Sequence, residues 1–157
     1  MSEANRQTIE RLYSAFAAGD GDTMAALYSP DAHFSDPVFG ELHGSQVGRM
    51  WQMLTGRSRD LKVRLVESNP NDSGGTARWT ADYSFGPKRR PVHNEVSADF
   101  RIVDGLITEH HDDFSFRRWA GQALGTPGAL LGWAPFFQAR VRARVLSQLE
   151  RYSSPPV

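Results

Sequence analysis

The order of apolar and polar positions changes character near residue 58, from a period close to 3.6 to a period of two. Between residues 3 and 18, Ile9, Leu12, Tyr13, Phe16 and Ala17 recur at helical spacing, and Gly19-Asp20 supplies a stop. This predicts an amphipathic first helix. A second, shorter helix is predicted with Asp22 as its cap, Met24, Leu27 and Tyr28 on its apolar side, and an end near Pro30. The run DAHFSD then alternates, setting Ala32, Phe34 and Asp36 on one face of a short strand and His33 and Ser35 on the other, closed by Pro37. Ser45 can cap a third helix with the stripe Val47, Met50, Trp51 and Leu54, ended by Gly56.

Period two governs the next half. Residues 61 to 68, 76 to 85, 92 to 103 and 106 to 116 are predicted strands, separated by NPNDSGG, GPKRRP and the tight Asp104-Gly105 turn. After Trp119 comes a connection punctuated by Gly and Pro, then a helix from about 136 to 151 carrying Phe137, Val141, Val145, Leu146 and Leu149. Helices followed by a run of strands is the order of an α+β domain. Residues 1 to 118 are expected to form that domain, and 119 to 157 a C-terminal helical extension packed on it. Leu130, Leu131, Trp133, Phe136 and Phe137 in the extension suit either of two roles, covering the domain or joining two subunits.

Composition narrows the function. A chain of 157 residues suits one domain, and 18 basic against 18 acidic side chains leave no net charge to gather nucleic acid or anionic lipid. The absence of cysteine removes disulfides, thiolate metal sites and a cysteine nucleophile. MSEANRQTIERL lacks the apolar core of a signal peptide, and no run approaches the roughly 20 apolar residues of a membrane span, so the cytoplasm is the expected location. No Gly-x-Ser-x-Gly, phosphate-binding loop, dinucleotide fingerprint or His-Glu-x-x-His is present. No cofactor is expected.

Titratable residues gather at two places. Asp36 shares the face of Phe34, where burial would raise its pKa toward proton transfer near neutral pH; a turn aspartate before Pro37 can equally cap backbone amides. EHHDDF, residues 109 to 114, splits by period two into His110 with Asp112 and His111 with Asp113. Phe114 and Phe116 share the face of the first pair, which is therefore expected to point inward. A carboxylate two residues from a histidine on one strand face can fix its tautomer and raise its basicity, making His110 a proton shuttle; the alternative is a solvated polar strand. Successive histidines on a strand face opposite ways and cannot chelate one ion, so no metal is expected. Trp51, Trp79, Tyr83 and Phe100 can line a ligand site or simply fill a core, and Asn94, on the apolar face of its strand, needs a polar partner. PKRRP, residues 87 to 91, is expected to be a solvated loop tip.

The stretch GDGDTMAALYSPDAHFSDPVFGELHG resembles the opening of ketosteroid isomerases and SnoaL-like polyketide cyclases, members of the nuclear transport factor 2-like superfamily. The resemblance implies a cone, in which a curved antiparallel sheet wraps the N-terminal helices around a deep apolar pocket, commonly in homodimers. It implies a small hydrophobic ligand, with Tyr13, Phe16, Phe34, Trp51, Trp79, Tyr83, Asn94 and Phe114 as candidate contacts, and Asp36 as general base in the isomerase-like Asp-Pro pair. The isomerase oxyanion donors, carried over, fall on Leu12 beside Tyr13 and on Ala98 beside Asp99. Asp99 and Arg101 also resemble, in reverse order, a pair found in limonene-epoxide hydrolases. They fall on the face opposite Val96, Ala98 and Phe100, where a surface ion pair is the competing account.

Overall fold

The computed structural model describes residues 2–57 and 60–153. Three helices lead: α1 (Ser2–Ala17), α2 (Gly21–Ala26) and α3 (Ser45–Arg57). Strands β1 (Tyr28–Asp36) and β2 (Gly40–His43) separate α2 from α3. Four longer strands follow as β3 (Lys62–Asn71), β4 (Gly74–Phe85), β5 (Arg90–Val103) and β6 (Leu106–Asp113), and then α4 (Phe116–Leu124), α5 (Thr126–Leu131) and α6 (Pro135–Ser153). The strands form one six-stranded sheet in the order β2-β1-β6-β5-β4-β3. Every neighbouring pair is antiparallel except β1 with β6, which run parallel. The expected mixed α+β architecture is present, with a curved, unclosed sheet.

Curvature has a local cause. Register shifts interrupt the ladders between Tyr28 and His33, between Leu65 and Glu67, and between Arg101 and Ile102. Such bulges bend and over-twist a strand. The apolar stripes of α1 and α3 fill the concave side: Ile9, Leu12, Tyr13, Phe16, Val47, Met50 and Trp51 are all buried there with Phe34, Trp79, Val96 and Phe100 of the sheet. At the β5–β6 turn Asp104 and Gly105 both have positive φ, 51° and 80°, the mirror-image turn expected of Asp-Gly between strands.

Several details depart from the sequence reading. Asp20, not Asp22, caps α2, accepting from the Thr23 amide at 3.1 Å, and Tyr28 opens β1 instead of closing that helix. On α1 the buried small residue is Ala15, with Ala17 exposed. The four-residue strand β2 went unseen. The last strand stops at Asp113, because Ser115 accepts from the Arg118 amide at 3.1 Å and starts α4 at Phe116.

The punctuated connection contains two helices, α4 and α5, packed so closely that a Cβ on Gly128 would lie 2.0 Å from the Ala120 carbonyl oxygen. On α6, Val145 and Leu149 are buried and Phe137, Val141 and Leu146 are partly buried, as the stripe predicts. Leu130, Trp133 and Phe136, by contrast, stay 64–66% exposed and do not cover the domain. No helix among the described residues is long and apolar enough to cross a membrane.

Candidate active site

Two adjacent strands set out the site. Parallel pairing places Phe34 of β1 beside His110 of β6 and Ser35 beside His111, and Asp112 lies close enough for its charge to act on Asp36. Antiparallel pairing on the other side of β6 places Phe100 against His110 and Ala98 against Asp112. Phe34 and His110 are fully buried, at 0 and 1% exposure, and Asp112 is buried at 6%.

A bulge selects which histidine points inward. Ile107 is buried and pairs with Ile102, but the next pair joins Arg101 to Glu109, so Thr108 is an extra residue on β6. Strict alternation from Ile107 would have turned Glu109, His111 and Asp113 into the core. The extra residue resets the phase and buries His110 and Asp112, as expected. Half of the support for that expectation was wrong, since Phe116 lies in α4 and not on the strand; Phe114 is partly buried against the core.

The buried polar groups form one chain. The Trp51 indole N–H donates to the Tyr28 hydroxyl at 2.9 Å, and that hydroxyl meets His110 Nδ1 at 2.8 Å. His110 Nε2 meets Asp112 Oδ1 at 2.8 Å, and the same oxygen accepts from the Trp79 indole at 3.4 Å. The Tyr28 hydroxyl thus links the Trp51 indole to Nδ1 of His110, and Nε2 faces the Asp112 carboxylate. Burial first, and then the Asp112 charge, push the Tyr28 pKa well above its ordinary value, so this hydroxyl keeps its proton.

Asp36 caps the turn that follows its strand. Its Oδ1 accepts from the amides of Val38 at 2.8 Å and Phe39 at 2.6 Å, a turn cap following Pro37. Among the described residues no hydrogen bond to Oδ2 was found. Although the residue as a whole is only half-buried, its carboxyl is withdrawn from water, and this desolvation raises its pKa from 3.8 to about 7. The two amides oppose that rise, the Asp112 charge adds to it, and Arg142 of α6 opposes it last and least. Arg142 reaches the turn by donating from Nη2 to the Pro37 carbonyl at 3.2 Å, while its Nε is buried without a partner among the described residues. Gly40 makes that reach possible, because with φ at +74° a Cβ there would sit 2.7 Å from Arg142 Cδ.

The candidate ligand residues divide into two groups. Tyr13, Phe16, Phe34, Trp51 and Trp79 belong to one aromatic cluster: Phe16 lies 5.0 Å from Trp51 and 5.3 Å from Trp79, and Tyr13 lies 5.8 Å from Trp79, centroid to centroid. The Phe100 ring joins it, 4.3 Å from His110. The Tyr13 hydroxyl is buried in that cluster with no hydrogen-bond partner among the described residues. Burial, and after it the charges of Asp112 and Tyr28, hold its pKa well above the ordinary value, Trp79 opposing them last, and the Trp79 indole donates to Asp112 at 3.4 Å.

Tyr83, Asn94 and Phe114 are partly buried outside this cluster. The Tyr83 hydroxyl accepts from the Trp119 indole at 2.9 Å, and burial followed by that bond and the Asp36 charge leaves its pKa at about 12. Asn94 lies on the inner side of β5 beside Ala81.

The carried-over oxyanion positions separate. Tyr13 points into the cluster, and Ala98, not Asp99, is the inward residue of β5. Asp99 and Arg101 are exposed as expected, but Arg101 pairs with Glu109 at 3.3 Å in place of the expected Asp99. Two surface hollows, of about 380 and 700 Å³, are lined by groups such as Asp82, Tyr83 and His93 in the first and Arg90, Arg117 and Gln122 in the second. Neither is lined by Asp36, His110 or Asp112. Tyr28, Trp119 and Arg142 were not foreseen as site residues: Tyr28 fits the helical spacing of Met24 and Leu27, and the other two lie beyond the stretch that carries the resemblance.

Helices packed on a curved, unclosed six-stranded sheet, with an Asp-Pro aspartate at the end of one strand and a polar strand beside it, define a class of protein. The sequence model of the SnoaL-like domain matches residues 9–110, and the chain belongs to that family, within the nuclear transport factor 2-like superfamily. Among solved structures it is similar to an LEH-like epoxide hydrolase from M. tuberculosis, with a TM-score of 0.66 and 20% identity over 85% of this chain and 98% of that one. It is also similar to a hypothetical protein of ketosteroid isomerase-like fold from Catenulispora acidiphila, in complex with trimethylamine, with a TM-score of 0.67 and 14% identity over 78% and 95% of the two chains. A candidate polyketide cyclase from Xanthomonas campestris pv. campestris aligns with a TM-score of 0.62 and 18% identity over 78% and 98%. A search of curated proteins returned no significant match. At these identities the structural likeness speaks for the fold alone.

Proposed function

We propose that this chain is a cofactor-independent acid–base enzyme of isomerase, cyclase or lyase type, acting on a small hydrophobic carbonyl or cyclic compound. One observation carries the reading. A carboxyl group whose pKa burial raises to about 7 feels the charge of Asp112, and Asp112 is bonded to His110 in a buried chain of polar groups. A base is most useful when its pKa lies near the working pH. In the proposed reaction Asp36 Oδ2 removes a proton from the carbon beside a carbonyl, and the electron pair of the broken C–H bond moves toward the carbonyl oxygen. Tyr13, whose hydroxyl has no partner of its own, donates to that oxygen. The proton returns from Asp36 to another carbon, with His110 and Asp112 serving as its relay.

The deep apolar pocket belongs to this proposal. The ligand takes its place against the aromatic cluster, with the partly buried Tyr83, Asn94 and Phe114 giving way at the border. A panel of small cyclic ketones in deuterated water, followed by NMR, tests the reading. Catalysed exchange of the α-protons is expected, rising with pH through about 7 as Asp36 ionises. Asp36→Asn should slow it by about 10²–10⁴-fold, the usual worth of a general base. Exchange at the uncatalysed rate with every ketone, or unchanged in Asp36→Asn, would leave a non-catalytic ligand-binding module in its place.

A second reading, addition of water to an epoxide, is favoured by the likeness to the M. tuberculosis hydrolase. It cannot use the exposed Asp99 and Arg101, and would need Asp36 to activate the water. Incorporation of ¹⁸O from labelled water into a diol product separates it from the first reading. We also propose a homodimer, supported by the exposed Leu130, Trp133 and Phe136. Light scattering should then give twice the chain mass, and Trp133→Glu with Phe136→Glu should halve it.

A further inference from the structure

We propose that His33, Glu41 and His43 form a binding site for a divalent transition-metal ion of the zinc, nickel or copper class on the outer face of the sheet. The expectation of no metal rested on His110 and His111, which face opposite ways along one strand. Pairing between strands supplies what spacing along one strand cannot. His33 of β1 lies directly opposite His43 of β2, and Ser35 lies opposite Glu41, so all three candidate ligands share the face away from the core.

The two imidazole centroids are 4.4 Å apart, and His33 Nε2 lies 3.9 Å from Glu41 Oε1. One donor atom from each of the three lies within 4.8 Å of the others. An ion held at about 2.0–2.2 Å by nitrogen and carboxylate ligands needs donors roughly 3.4 Å apart in a tetrahedral arrangement. Small rotations of exposed side chains close that difference. His33 is partly buried and Glu41 and His43 are exposed, so solvent can bring the ion and fill its remaining positions. His111 stands beside them, 5.6 Å from His33 ring to ring, with its Nδ1 engaged by Ser35 Oγ at 2.6 Å. Two imidazoles and one carboxylate select zinc, nickel or copper over magnesium or calcium, which prefer all-oxygen shells. The bound ion would tie the short edge strand β2 to β1.

Calorimetric titration of zinc chloride into the full chain, free of any affinity tag, tests the site. One equivalent is expected to bind, and magnesium chloride should give no saturable heat. His43→Ala and Glu41→Gln should each weaken zinc binding by about tenfold or more. Both positions are exposed, and an unchanged circular dichroism spectrum will show that the variants fold. His93→Ala serves as control, since His93 sits among Asp82 and Glu95 at the far end of β5. Absence of saturable zinc binding, or binding kept in His43→Ala and lost in His93→Ala, would overturn the proposal.

Discussion

His110 and His111 are neighbours in sequence and opposites in environment. The first is 1% exposed and bonded on both ring nitrogens, to Tyr28 and to Asp112. The second is half-buried on the outer face and bonded to Ser35. The same contrast runs through β1, where Asp36 on the inner side titrates near neutrality while His33 on the outer side lies among exposed groups. The lesson is that these strands separate their chemistry by face. The inner side holds desolvated groups beside a second carboxylate, whereas the outer side holds solvent-accessible groups paired between strands.

The largest effect should come from breaking that asymmetry at the histidines. His110→Ala leaves the Asp112 carboxylate buried without its main partner and opens a void among Phe34, Phe100 and Trp51. The expected cost is about 3–5 kcal/mol in urea unfolding, the range for stranding a buried charge. His111→Ala should stay within about 0.5 kcal/mol, as for ordinary surface changes. Equal losses from the two substitutions would abolish the distinction.

Asp36→Asn comes next and has the opposite sign. A carboxyl whose pKa rises from 3.8 to about 7 on folding binds more protons folded than unfolded, so its contribution declines as pH rises through that interval. Above pH 7 the ionised, buried form is a burden of at most about 4 kcal/mol. The asparagine side chain keeps an oxygen for the Val38 and Phe39 amides and carries no charge. It should therefore stabilise the protein at pH 8 and lose that advantage below pH 4, as thermal melts across pH will show.

Tyr13→Phe removes a buried hydroxyl that has no partner. A gain of about 1 kcal/mol is expected, since an unsatisfied buried group costs about that or more, together with weaker binding of any carbonyl ligand. Loss of stability instead would mean that the hydroxyl is satisfied. Arg142→Met is the mildest probe. Removing the weakest of the influences on Asp36 should move its midpoint upward, by less than any other substitution around it.

Much of this contrast was legible in the sequence because period two separates the faces of a strand. Asp36, His110 and Asp112 were assigned inward from their apolar neighbours, and they lie inward. The bulge at Thr108, invisible to a count of alternating residues, is what turns His110 inside. β2 was missed because GELH is four residues long and its pairing to β1 is settled by the turn around Asp36. Phe114 and Phe116 read as a continuing strand, but the Ser115 side chain, by capping α4, ended it. Tyr28 and Arg142 enter the site through contacts 82 and 105 residues distant, which no local pattern records.

The central claim is that burial beside Asp112 holds Asp36 near neutrality. Carbon-detected NMR of protein labelled at the aspartate carboxyl carbons, with Asp36→Asn used to assign the signal, measures it directly. A midpoint close to 7 is the predicted result; a midpoint at or below about 4, the value of a solvated or purely amide-capped carboxylate, would contradict it.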